Sequence, residues 1–273
     1  MWINSTKNSI VYIFLFCTLT CFGQNAPQSA EIHKPGTGLW MGLYTKLRFS
    51  ERAFYYAETH YRRRNSLGDR RDFIGRMGQI YNRHGINFLF NPYFEVTLGP
   101  VLVLNYSPQP DNPEYETVTL EPRIWHQWLL IQPQMGRFKF YHQFRFEHRF
   151  KRTNLRNSEY KYTDRYRYKI FAYIPLNKSY LGNNTLFLAP SAEIFMHTGK
   201  SVVFHPLEDF RVYTGIGYII NQNYMLFGGH MWTIGQNPEG FSYNQSHIIR
   251  LNLFINFDLR PTRKTIPKIH MFD

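Results

Sequence analysis

RFKFYHQFRFEHRF, residues 137–150, puts Phe138, Phe140, His142, Phe144, Phe146, His148 and Phe150 on the even positions. The odd positions hold Arg137, Lys139, Tyr141, Gln143, Arg145, Glu147 and Arg149. Successive residues of a β-strand point to opposite faces, so the stretch specifies one strand with an apolar face and a charged one. A soluble sheet with one face on a core gives the same alternation. Where the apolar face points must therefore be read from the rest of the chain.

The alternation recurs from end to end. Strands are expected at Leu39 to Phe49, Phe54 to Arg64, Phe73 to Phe90, Tyr93 to Tyr106, Val118 to Gln132, Arg137 to Phe150, Tyr160 to Ile174, Thr185 to His197, Phe210 to Ile220, Tyr224 to Thr233 and His247 to Leu259. Most reach the length that crosses a bilayer at a tilt, about 9 to 11 residues. No window carries a helical period, and there is no low-complexity tract or linker. At 273 residues the chain fits one large β domain.

Aromatic residues make up 18% of the chain, with 24 Phe and 20 Tyr, yet mean hydropathy is negative because charged and amide residues are interleaved with them. Lys7, the apolar run Ile10 to Cys21 and the small residues around Gly23 read as an export signal over residues 1–23, cut before Gln24. Cys17 and Cys21 lack the flanking pattern of a lipid-modified cysteine. Both would leave with the signal, so residues 24–273 are expected to form a barrel domain without disulfide or thiolate metal site. The formal net charge is +13. For an exported chain this points away from nucleic acid and towards phosphate-bearing lipid headgroups.

The connections are sorted by length. Ser50 to Arg52, Asn91-Pro92, Gln134 to Gly136 and Asn221 to Asn223 are short. Residues 65–72, 107–117, 151–159, 198–209 and 234–246 are long and polar, and only 175–184 is intermediate. Short turns at one end and long loops at the other are the habit of outer-membrane barrels. Gln134-Met135-Gly136 reads as a three-residue hairpin loop with Gly136 in the left-handed position. That loop would set Glu121 opposite Arg149, Arg123 opposite Glu147, Trp125 opposite Arg145 and Gln127 opposite Gln143. Opposite charges would then meet on one face, and Trp128 would meet His142 on the other.

Other strands repeat the division. Glu58, His60 and Arg62 share a face, as do Arg165, Arg167 and Lys169, and Glu193, Arg211 and Arg250 continue it. Charged faces turned outwards would leave the aromatics of every strand as a core. Turned inwards, they leave the aromatics to lipid, which the export signal, strand lengths and sorted loops favour.

With these residues in view, the chain resembles an uncharacterised Gram-negative outer-membrane barrel family, domain of unknown function 2490. The resemblance rests on Trp40, Glu58 with Arg62, the run Glu121 to Gln127, the run His142 to Arg149, the run Arg165 to Tyr168, and Glu193 and Arg211 downstream. It covers nearly the whole exported chain and implies an outer-membrane β-barrel with no established activity.

The fold expected is all-β, a single antiparallel transmembrane barrel of 10 to 12 strands with short periplasmic turns and longer extracellular loops. Twelve is favoured because single-chain bacterial barrels carry even numbers, which would place a further strand in Gln24 to Gly38 or Pro261 to Asp273. The candidate site is a luminal cluster of Glu58, Arg62, Glu121, Arg123, Arg145, Glu147, Arg149, Arg165, Arg167, Glu193 and Arg211. Alternating Glu and Arg can fill a narrow lumen by satisfying one another, or bind an anionic solute, since arginines outnumber acids. The chain contains no zinc motif or serine elbow, and no cofactor is called for. His60 with Glu58 is the pair to inspect under the alternative, a barrel enzyme acting on outer-leaflet lipid; a soluble secreted β protein is the third reading. Gly215 and Gly217 read as thin strand positions. The partners expected are outer-membrane lipid and lipopolysaccharide, met by Arg62, Arg63, Arg64, Arg70 and Arg71 at one loop and Lys151, Arg152 and Arg156 at another. The barrel assembly machinery would act during biogenesis.

Overall fold

The alternating stretches fold into one continuous antiparallel ladder. In the computed structural model the described residues are 31–199, 202, 204–237 and 240–261; the expected export signal lies outside them. The strands are β1 (Glu31–Arg48), β2 (Ala53–Arg64), β3 (Arg76–Asn91), β4 (Phe94–Tyr106), β5 (Val118–Ile131), β6 (Lys139–Lys151), β7 (Lys161–Pro175), β8 (Thr185–Leu188), β9 (Ser191–Gly199), β10 (Leu207–Asn221), β11 (Tyr224–Gln236) and β12 (Ser242–Asp258). Consecutive strands pair except β8 and β9, which both lie between β7 and β10, and β12 adjoins β1, so the sheet closes on itself.

Twelve strand segments build eleven staves. β8 and β9 hold one register against both neighbours: Ile174 faces Leu188 and Ile170 faces Ala192 on the β7 side, while Ile216 faces Leu188 and Arg211 faces Glu193 on the β10 side. The stave is interrupted at Ala189 and Pro190; the Pro190 carbonyl accepts from Ala172 N at 3.1 Å, but its ring nitrogen has no proton to donate. An odd number of alternating staves forces the first and last to run the same way. Side-chain neighbours across the closure rise together accordingly: His33 meets Ser242 at 3.3 Å, Tyr44 stacks on Phe254 at 4.4 Å, and Leu259 N donates to Arg48 O at 2.8 Å. No separate strand was needed before Gly38, because β1 itself reaches back to Glu31. Residues 262–273, the other place expected to hide a strand, lie outside the described residues.

The charged faces of β2, β3, β5, β6, β7, β9 and β10 turn inwards. On β5 and β6 the inward residues Glu121, Arg123, Arg145, Glu147 and Arg149 are buried, while Ile124 is 63% exposed on the outer face. Leu98, Leu102, Trp128, Leu130, Ile216, Leu226 and Leu251 continue that outer apolar surface around the ring.

The register of the β5–β6 hairpin differs from expectation by two residues. Arg123 faces Arg149, Trp125 faces Glu147, Gln127 faces Arg145 and Trp128 faces Phe144. The turn is tighter than a three-residue loop: Met135 and Phe138 exchange backbone hydrogen bonds at 2.9 and 3.0 Å around Gly136 and Arg137. Gly136 does take the left-handed conformation, with φ of 61°. Between this turn and the bond from Gln132 N to Phe140 O, two residues, Pro133 and Gln134, oppose the single Lys139. Pro133 cannot donate to the ladder, so the extra residue bulges there and the pairing beyond it slips.

Long loops and short turns sit at opposite ends, as the sequence indicates. Two loops are shorter than expected, because β10 begins at Leu207, β11 runs on to Gln236 and β12 starts at Ser242. At the turn end the interior is aromatic. Rings connect from Tyr141 to Phe171 and Tyr173, then through Phe187 and Phe227 to Phe254 and Tyr44, with successive centroids 4.4–6.4 Å apart. Phe187 lies flat against Gly217, where any side chain would collide with its ring, so Gly217 is a thin position in the sense expected. The lumen holds a cavity of about 1480 Å³ whose lining runs from these rings, Lys46 and Glu95 at the turn end to Lys34, Leu67, Arg70, Gln109 and Leu155 at the loop end. The rings form an aromatic floor on the side of the barrel that runs from β6 to β1.

Candidate functional site in the lumen

The eleven residues singled out in the sequence all come from inward positions, and the structure brings them into one network. Its hub is Glu147 on β6, wholly buried. Glu147 is ion-paired with Arg83 at 2.6 Å, Arg123 at 2.8 Å, Arg167 at 3.0 Å and Arg165 at 3.3 Å. Tyr81 adds its hydroxyl at 3.1 Å. Glu58 forms a second node, paired with Arg83 and with Arg145 at 2.9 Å, and accepting from Tyr56 at 2.5 Å. Arg145 also donates to Gln127 at 2.8 Å.

Neighbouring nodes extend the network along the wall. Glu121 pairs with Arg123 at 3.0 Å and only loosely with Arg149 at 4.0 Å. Glu193 takes Arg167 at 2.6 Å. Arg211 donates its Nε to Asp209 at 2.7 Å and lies over the rings of Phe195 and Trp40 at 4.2 and 5.1 Å. Arg62 also lies over the Trp40 ring, at 4.1 Å, and donates to Gln79 at 2.9 Å. Trp125 carries Arg83 and Arg145 at 4.7 and 5.1 Å from its ring. Guanidinium groups on aromatic faces shed hydration at little cost, which suits them to a confined lumen.

Several members of the network escaped the sequence reading, Asp209 among them. Arg83 bridges Glu58 and Glu147, but its strand was expected to begin at Phe73 and begins at Arg76, so its face was not assigned. Glu208 pairs with Arg149 at 2.9 Å and Arg165 at 2.5 Å, from a position expected to be loop. Tyr81 ties Arg83, Arg123 and Glu147 together. The signal for Arg83 and Tyr81 was their shared parity with Gln79; for Glu208 there was none short of knowing where β10 starts.

The His60–Glu58 pair does form, at 3.4 Å, but inside the lumen. Both Glu58 oxygens are engaged by arginine, and His60 is packed between Tyr44 and Tyr81 with ring centroids 5.2 and 6.0 Å away. A carboxylate shared with two guanidinium groups is a poor proton acceptor, and the pair does not face the outer wall. His126, His142 and His148 point outwards as expected, and His126 stacks on Phe146 at 4.6 Å. Among the described residues no three His, Cys, Asp or Glu side chains converge to hold a metal ion.

At the rim, the loop arginines tie backbone together. Arg63 donates to Ile74 O at 2.8 Å, Arg70 to Lys34 O at 2.7 Å and Arg156 to Pro113 O at 2.8 Å. These carbonyls leave the positive charge unneutralised. Arg152 instead forms a two-pronged pair with Glu116 at 2.6 and 2.7 Å, clamping the β4–β5 loop to the β6–β7 loop. The clamp's hydrogen bonds hold the Glu116 carboxyl below its ordinary pKa.

A family model described as "Protein of unknown function (DUF2490)" matches residues 37–245. No curated protein matches the chain.

Proposed function

The chain belongs to the DUF2490 family of unknown function, and from its geometry we propose a non-enzymatic outer-membrane barrel whose lumen is a cup for an anionic solute. The observation that carries this reading is the division of the wall. An ionic interior is wrapped in a ring of exposed Leu, Ile, Trp and Phe side chains. Monomeric soluble proteins rarely expose contiguous apolar surface beyond about 300–600 Å². A bilayer removes that surface from water, and a closed barrel satisfies every backbone group inside it.

The ionic network is first of all structural. It links staves β2, β3, β5, β6, β7, β9 and β10 across the lumen, so the barrel resists flattening. The excess of arginine and lysine over carboxylate along the cavity then biases it towards anions. The aromatic floor argues for binding rather than conduction. Arg63, Arg70 and Arg156, with charge unspent, are placed to meet phosphates of lipopolysaccharide at the outer leaflet, and the assembly machinery of outer-membrane barrels would insert the chain.

Membrane fractionation with a heat-modifiability gel tests this reading. The protein is expected in the outer-membrane fraction, running faster unheated than boiled. Recovery in the soluble periplasmic fraction without detergent would overturn it.

A further inference from the structure

The carboxylates of the lumen network are spent: Glu58, Glu121, Glu147, Glu193, Glu208 and Asp209 each hold at least one arginine. Several inward cations make no ion pair among the described residues: Arg64 and Lys151 near the loop end and, deeper, Arg62, Lys169 and Arg250. Arg62 rests on Trp40 and Gln79, Lys169 lies 4.8 Å over the ring of Phe171, and Arg250 donates to the Tyr44 hydroxyl at 3.1 Å. Aromatic faces and neutral acceptors compensate a confined cation less well than a carboxylate does. They also stand close enough to repel. Arg62 feels the fields of Arg211, Arg250 and Arg167, and Lys169, opposite Glu193 in the β7–β9 ladder but not ion-paired with it, also feels Arg250, Arg145 and Arg167.

Unpartnered donors and acceptors accompany them. The Nε of Arg250, the Oδ1 of Asn252 and the hydroxyl of Tyr213 find no hydrogen-bond partner among the described residues. Asn252 and Tyr213 are 5% and 3% exposed. All three deeper cations, from β2, β7 and β12, line the one cavity together with Asn252 and Tyr213, and Arg250 lies 5.4 Å over the Tyr213 ring.

We propose that Arg62, Lys169 and Arg250, with Asn252 and Tyr213, form a binding site for a phosphomonoester bearing hydroxyl groups, the chemistry of a phosphorylated sugar. The proposal rests on the reading of the lumen as an anion cup and locates the ligand away from the Glu147 hub. A tetrahedral phosphoryl group offers oxygens to cations on three staves, whereas a carboxylate offers two in one plane. The Asn252 oxygen accepts from a ligand hydroxyl. Such a group reaches the cup either free in solution or as the phosphorylated sugar headgroup of a lipid.

The full exported chain, refolded in neutral detergent, is titrated calorimetrically with glucose 1-phosphate, with glucose, and with micelles doped with a lipid whose headgroup is a phosphorylated disaccharide. Binding of glucose 1-phosphate but not glucose, weakened about tenfold or more by Arg250→Gln or Lys169→Gln and unchanged by the surface variant Arg137→Gln, is the expected result. Binding confined to the doped micelles, with the same dependence on these variants, assigns the site to a lipid headgroup. Neither variant removes an ion pair, so both are expected to keep the fast-running unheated gel band; should Arg250→Gln lose it, Lys169→Gln decides. Glucose 1-phosphate binding lost in Arg149→Gln but retained in Lys169→Gln would overturn this site while leaving an anion cup. Absence of binding to every phosphorylated probe would overturn the cup and the site together, whatever fractionation shows about location.

Discussion

Arg123 and Glu147 meet at 2.8 Å although they are not opposite one another in the β5–β6 ladder, where Arg123 faces Arg149 and Glu147 faces Trp125. The contact is a diagonal one, made possible because a long guanidinium reaches the next inward position of the adjacent strand. It brings Glu147 into the midst of Arg83, Arg165 and Arg167 as well.

Removing one partner of a buried pair costs about 3–5 kcal/mol, because the other charge is left uncompensated. Arg123→Leu is expected at the low end, since Glu147 retains three arginines. Glu147→Leu, which leaves four arginines with only their outer carboxylates Glu58, Glu121, Glu193 and Glu208, is expected to cost more. The double variant should be more stable than the sum of the singles by about 1–3 kcal/mol in urea titrations of the detergent-refolded barrel. Additivity would mean the diagonal contact is absent.

On the outer face, Phe144 sits opposite Trp128 and packs on Tyr168 at 5.0 Å. Phe144→Arg places a charge where lipid supplies neither water nor a counter-ion, so refolding into vesicles should lose about 2–4 kcal/mol. It should show no coupling to Arg123→Leu, on the other side of the wall. A loss near zero in vesicles would contradict a lipid-facing Phe144.

Acid should loosen the loop end before the staves. The Arg152 hydrogen bonds depress the Glu116 pKa, so the folded carboxylate holds its proton less readily than the unfolded one. Stability from the clamp is therefore complete above the unfolded value of about 4.3 and is lost as pH falls through the lower folded one. Hydrogen exchange of residues 107–117, corrected for intrinsic rate, should quicken between pH 7 and about pH 3, while Glu116→Gln exchanges fast at both. Equal protection at both pH values in the unmodified protein would show that the clamp does not order the loop.

The inward placement of the charged cluster was legible because strand parity is a local property: once RFKFYHQFRFEHRF is a strand, Arg145, Glu147 and Arg149 share a face. Who meets whom was not legible to the same degree. Pro133 shifts the register by a bulge that no count of turn residues reveals, and the hub's fourth arm, Arg83, comes from a strand three positions away in the ring. The parallel closure of β12 on β1 joins opposite ends of the chain and leaves no local mark. The unpaired state of Lys169 and Arg250 follows only from knowing that every nearby carboxylate is taken.

The parallel closure gives the most direct test of a membrane-spanning barrel of eleven staves. β1 begins at the loop end, and β12 ends at the turn end. Single cysteines at His33, Asn154, Gln222 and Asp258 can be probed with a membrane-impermeant maleimide on intact and on permeabilised cells. His33 and Asn154 should label on intact cells, and Gln222 and Asp258 only after permeabilisation. Labelling of His33 and Asp258 from the same side would contradict an eleven-stave closure, and equal labelling of all four on intact cells would contradict a barrel that spans the membrane.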